Sequence, residues 1–163
     1  TYKQNNDMKI NLWSDSSYAD HKPSMKSMLR YIIQIGDAPI HWKSSLSKNV
    51  TTSSMVAELF AYHECAIETI WVRRVISEMF NIKMQNPTPI HCDNAPVKHV
   101  VENVTAKKGV RHLDVKYASA AEWQEQGLIK FEKVSTLDQI ADILTKPLSA
   151  VKVINFNKKL HIE

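Results

Sequence analysis

Four acidic residues lie in local settings that could bring them to one point. Asp15 closes the alternating run MKINLWSD, and Glu58 sits early in the helical pattern SSMVAELFAY. Asp93 ends the run PIHCD, and Asp142 lies inside DQIADILTKPL. Two are expected where strands end and two on helices, which is how a fold gathers carboxylates that are far apart in sequence. Two carboxylates 4 Å apart repel by about 1 kcal/mol in water and about 4 kcal/mol at an effective dielectric of 20. A cluster of four is therefore costly unless cations fill it. Hard oxygen ligands of this kind suit Mg²⁺ or Mn²⁺. The chemistry such a set would serve is two-metal phosphoryl transfer.

Each acid also has a plainer reading. Asp15 could begin a turn, Glu58 could favour a helix dipole, Asp93-Asn94 could cap the next helix, and Asp142 could be a helix-surface acid. These are four separate explanations, whereas a single site accounts for all four residues.

The elements that would position the acids can be read from periodicity. Residues 8–14 alternate as a strand. Ser16 to Lys26 is polar and holds Pro23, as a loop or hairpin arm would. Tyr31–Ile35 and Ile40–Ser44 read as strands turning at Gly36-Asp37. A Ser/Thr-rich connection from Ser44 offers a helix cap at Ser53 or Ser54. A long helix is expected over Ser54–Phe80, with Val56, Leu59, Phe60, Ile67, Ile70, Trp71, Val75 and Met79 at helical spacing. Then follow a short buried strand at Ile90–Cys92, helices at Ala95–Val104 and His112–Gln126, and a strand at Leu128–Val134. Gly127 would stop the second of those helices. A short helix over Leu137–Thr145 ends at Pro147. The order predicts an α/β domain, a five-stranded mixed sheet flanked by helices with right-handed crossovers. Asp15 and Asp93 would then lie near the carboxyl ends of neighbouring strands, where open α/β sheets bind ligands.

At 163 residues, with 44% hydrophobic and 23% charged, the chain suits one ordinary globular domain. No apolar run reaches the roughly 18 residues of a membrane helix. Three glycines cannot build a GxGxxG or P-loop. His63-Glu64 fails as a zinc HExxH motif because position 67 is Ile. His91-x-Asp93 could ligate a transition metal but reads more simply as packing. Cys65 and Cys92 lack CxxC spacing and are expected as reduced core thiols. The net charge of +4 suits a solvated surface or an anionic polymer, and the start at Thr1 suggests a piece of something larger.

The strings VTTSSMVAEL, HCDN, VRHLDVKY and above all QIADILTKPL resemble the ribonuclease H domain of copia-type (Pseudoviridae) LTR retrotransposon Pol polyproteins. The resemblance spans about residues 8–148, with 1–7 a polar lead-in and 149–163 similar to a polyprotein's C-terminal tail. It implies a ribonuclease H-like fold and an endonuclease that cleaves the RNA strand of RNA/DNA hybrids during reverse transcription. Carried over by position, Asp15, Glu58, Asp93 and Asp142 would hold two Mg²⁺ ions, with Mn²⁺ as the alternative. The partners implied are the hybrid and the reverse transcriptase of the same polyprotein, with no membrane. The setting implied is cytoplasmic, within virus-like particles, or nuclear. A non-catalytic binding or assembly module of a decayed or domesticated element is the alternative, and another nuclease or strand-transfer enzyme on this fold is a third.

The chain departs from the family's wording in two places. Val134–Leu137 carries no His where many ribonucleases H have one, and the approach to the second strand is KSMLRY rather than Ser/Gly-rich. Asp114 is the acid most easily mistaken for the fourth ligand, but it reads as a helix-start acid, and His112 as structural. Lys107, Lys108 and Arg111 form the clearest basic cluster, suited to phosphate contacts or to a solvated loop. Lys43 and Lys48 are further candidates for backbone contact, while Trp42 and Trp71 are expected in the core.

Overall fold

The computed structural model describes residues 9–36, 38–103, 111–144 and 148–162, with backbone alone for 103 and 111–117. Lys107 and Lys108 therefore lie outside the described residues, as do Asp37 and the side chains of Arg111, His112 and Asp114.

Five strands form one sheet: β1 (Ile10–His21), β2 (Lys26–Ile35), β3 (Ala38–Leu46), β4 (Thr88–Cys92) and β5 (Ile129–Lys133). Their order is β3-β2-β1-β4-β5. β1 pairs antiparallel with β2 and β2 with β3, while β4 runs parallel to both β1 and β5. The mixed sheet is the one the pattern predicts, but β1 and β2 are longer than expected. The polar segment after Asp15 continues the hairpin to His21, which pairs with Lys26 across a tight turn. Asp15 thus lies inside a strand rather than at its end. Its backbone is paired with β2 on one side, while the parallel pairing with β4 runs out before it.

Helices α1 (Ser54–Phe80), α2 (Ala95–Asn103) and α3 (Arg111–Glu125) cover one face of the sheet. Ser53 caps α1 by accepting the Val56 N–H, and Asn81 ends it in the left-handed conformation, φ 51°. Gly127, φ 67°, follows α3 as the sequence predicts, a backbone angle that glycine adopts without strain. The face α1 turns to the sheet carries Tyr62, Cys65, Ala66, Val72 and Ile76, packed on Ile10, Leu12, Ile33 and Ile90. Small residues there let the helix lie close to the strands. Trp71 falls on the opposite side and Trp42 on edge strand β3, each 60% exposed, so neither is in the core. Helical spacing alone could not tell which of two apolar stripes on α1 faces inward. The buried Arg73 guanidinium ties α1 to the start of β4, donating to Thr88 Oγ1 at 2.6 Å and to the Asn86 carbonyl at 2.9 Å.

A short 3₁₀ helix (Ile140–Leu144) and α4 (Ala150–Lys159) cover the other face. The segment from 149 on, expected as a tail, supplies α4, whose Phe156 is buried together with the capping Leu160 against Trp13, Ile32, Ile140 and Ala141. Cys65 and Cys92 are free and buried, as expected. Among the described residues, no helix is long and apolar enough to cross a membrane.

Candidate metal centre

The parallel seam between β1 and β4 fixes the first two acids. Trp13 is level with His91, so two residues further along each chain Asp15 and Asp93 leave the seam side by side. Asp15 is 3% exposed. Asp93, in the turn after β4, accepts a hydrogen bond from the Thr136 hydroxyl at 3.0 Å.

Glu58 comes from the second turn of α1, where the helix crosses β1. Its Oε1 accepts the Ser16 N–H at 3.2 Å, while Oε2 is buried with no hydrogen-bond partner. One ligand atom each from Glu58, Cys92 and Asp93 fall within 4.8 Å of one another. Burial first, then the charge of Asp15, raises the Glu58 carboxyl from 4.5 to about 8; Asp93 adds to this and the bonds from Ser16 oppose it. Burial likewise pushes the Cys92 thiol well above its ordinary range, with Glu58 adding to it. A thiol is also a soft donor, so the hard carboxylate oxygens are the ligands that suit a hard divalent cation.

Asp142 sits in the 3₁₀ helix, 1% exposed. The helix is held against β1 by Gln139, whose Nε2 donates to the Ser14 carbonyl at 2.8 Å. Asp142 Oδ2 accepts from Lys152 Nζ at 2.9 Å. It joins the other acids through Arg30, a residue the sequence did not single out. Arg30 stands opposite Asp15 on β2. It is 2% exposed, with Nη1 3.7 Å from Asp15 Oδ2 and Nη2 3.7 Å from Asp20 Oδ2. Burial pulls its pKa down, and Asp15, Asp20, Asp142 and Glu58 push it back up, in that order.

The fold thus brings Asp15 and Asp93 into electrostatic contact with Glu58, and the charge of Asp142 reaches Arg30 along with theirs. Buried carboxylates, one with an unpartnered oxygen, fit a divalent cation better than any neutral ligand. Lys43, on β3, is held by Glu64 of α1 at 3.0 Å. His91 is stacked on Trp13 with centroids 4.9 Å apart, which is packing rather than ligation. The sequence missed Arg30, Thr136, Gln139 and Lys152. A cationic residue just ahead of the apolar run YIIQI was the available signal for Arg30.

No protein-family model matches the chain. The retrovirus-related Pol polyprotein from transposon RE2 of Arabidopsis thaliana is 31% identical over 160 residues, covering 98% of this chain. The chain spans only 11% of that relative's length. Among solved structures, LC11-RNase H1 in complex with an RNA/DNA hybrid superposes with a TM-score of 0.57 at 16% identity, covering 83% of this chain and 93% of that one. The prototype foamy virus protease-reverse transcriptase gives 0.53 at 13% identity, covering 99% of this chain and 21% of that one. A fold shared with ribonuclease H and a sequence shared with transposon polyproteins identify the segment: the chain belongs to the retrovirus-related Pol polyproteins of copia-type transposons and has the ribonuclease H fold.

Proposed function

We propose that this domain is a metal-dependent ribonuclease H that hydrolyses the RNA strand of RNA/DNA hybrids. Asp15, Glu58, Asp93 and Asp142 would hold divalent cations, two Mg²⁺ in the working state with Mn²⁺ as a substitute. The reading is carried by one observation. Glu58, buried between Asp15 and Asp93, is raised to about 8 by burial and their charge and keeps an unpartnered oxygen, as a ligand awaiting a cation would. When bound, the cations would supply an activated water and charge stabilisation for the leaving oxygen. The chain's own residues do the positioning. The Ser16 N–H orients Glu58, Thr136 orients Asp93, and Gln139 locks the 3₁₀ helix that presents Asp142. No side-chain nucleophile is needed.

Discrimination would come from shape, through 2′-hydroxyls along one strand of the minor groove and phosphates along both. Lys107, Lys108 and Arg111, with Lys43, are the proposed phosphate contacts. The domain would work beside a reverse transcriptase in the same polyprotein, inside virus-like particles. Support for the polyprotein setting comes from the Pol polyprotein relatives and from the likeness to the foamy virus protease-reverse transcriptase.

The test is a strand-labelled hybrid incubated with Mg²⁺ or Mn²⁺, beside EDTA and Asp93→Asn controls. Loss of the RNA strand alone, absent in both controls, is the expected result. A folded protein that binds the hybrid and leaves it intact would instead mark a binding module. Equal cutting of duplex or single-stranded DNA would mark a different nuclease.

A further inference from the structure

Two cations of the protein itself stand within the acidic cluster, both on the face that carries the 3₁₀ helix and α4. Asp15 and Arg30 share that face because side chains alternate along strands. Trp13 and Ile32, two residues from each, pack there against Ile140 and Phe156. Lys152 reaches the same face from the first turn of α4 and meets Asp142. The opposite end of the cluster is different in kind. There Glu58 accepts from Ser16, Asp93 accepts from Thr136, and Glu58 Oε2 has no partner. Charge compensation is therefore built into the Asp15–Asp142 end, whereas the Glu58–Asp93 end relies on dipoles.

The two cations also differ in how firmly they are held. Arg30 is enclosed on β2 between Asp15 and Asp20, and its Nε and Nη1 have no hydrogen-bond partner. Moving it would strip a desolvated charge of its counter-ions, which is costly. The Lys152 side chain is 25% exposed on a long flexible stem. Its ammonium can therefore regain water when a divalent ion takes over the buried Asp142 carboxylate, which Arg30 cannot do.

We propose that Arg30 and Lys152 are resident counter-cations that make the site take up divalent ions in two unequal steps. The first ion goes to Glu58 and Asp93. The second reaches Asp142 only by displacing Lys152, while Arg30 stays in place. The inference rests on the metal-site reading above. It adds that α4 sets the affinity of the second ion, so Lys152 is a positioning residue that works through Asp142.

The deciding measurement is calorimetric titration of the full chain with Mg²⁺ alone, at fixed pH and salt. In the natural sequence a tighter event should precede a weaker one. Lys152→Met should tighten the second event about tenfold, the equivalent of ~1.4 kcal/mol, and leave the first within about twofold. Methionine keeps an unbranched apolar stem near Phe156, whose ring Lys152 Nζ overlies at 5.3 Å. Lys152→Arg should behave as the natural chain, and Asp142→Asn should remove the second event alone. A second event unchanged in Lys152→Met, or a first event that moves as much, overturns the proposal while leaving the metal site standing. Absence of Mg²⁺ binding in every variant, each shown folded by circular dichroism, overturns the metal reading itself and this proposal with it.

Discussion

Asp15 and Asp93 share a chemistry but not their neighbours, so amide substitution should separate them. Asp93→Asn removes a charge held by one hydroxyl bond in a turn. Cleavage should disappear while stability in EDTA changes by less than about 1 kcal/mol. Asp15→Asn should also abolish cleavage, but it takes from a buried guanidinium the buried one of its two carboxylates at 3.7 Å. A destabilisation of about 3 kcal/mol is expected, because breaking a buried pair leaves one charge uncompensated. Urea unfolding of both variants in EDTA would distinguish them. Equal stabilities would mean that Asp20 and Asp142 suffice to hold Arg30.

Glu58 makes a pH prediction of definite sign. Its folded pKa of about 8 lies above the ordinary 4.5, so between those values the native state keeps a proton that the unfolded chain has lost. Stability of the metal-free protein should therefore fall as pH rises from about 4.5 to 8, and Glu58→Gln should flatten that slope. Thermal melts across this range in EDTA would show it.

The elements that carry chemistry were legible in proportion to how regular they are. The Ser54–Phe80 helix agrees with its approximate prediction because a Ser cap and unbroken helical spacing mark it, and an αL Asn ends it. The sequence pattern begins β2 at Tyr31, whereas the strand starts at Lys26. Its positions facing the 3₁₀ helix and α4, Met28, Arg30, Ile32 and Gln34, mix charge with apolar residues, and a strand that begins at Tyr31 leaves Arg30 out of view. Only the register against β1 reveals that this arginine faces an aspartate. α4 was invisible for another reason. Its sequence AVKVINFNKK buries one residue within the helix, Phe156, and leaves Val151 and Ile154 exposed, so its apolar spacing does not single out the packed face until the sheet is there to receive it. Phe156→Ala should cost about 3 kcal/mol or more, the usual range for emptying a buried aromatic site. It should also loosen the Lys152–Asp142 contact, seen as release of α4 amides to hydrogen exchange.

For the whole molecule, the net charge of +4 already counts the four carboxylates of the acidic site. With the carboxylates neutralised by cations, the remaining surface is more basic, which suits a polyanionic duplex. Replacing Lys107, Lys108 and Arg111 with glutamine should weaken hybrid binding and lower the salt slope by up to about one per lost phosphate contact. Affinity unchanged across a salt titration would mark those residues as bystanders. The sheet itself has two parts, the antiparallel β1–β2–β3 and the parallel β4–β5, joined where β1 meets β4 over the pairs Leu12–Ile90 and Trp13–His91. The acids stand at the mouth of that short join, Asp15 contributed from one part and Asp93 from the other. An ion shared between them would act as a rivet across the molecule's narrowest join. Added protection of backbone amides should then be greatest in β4 and smallest in β3, at the edge farthest from it.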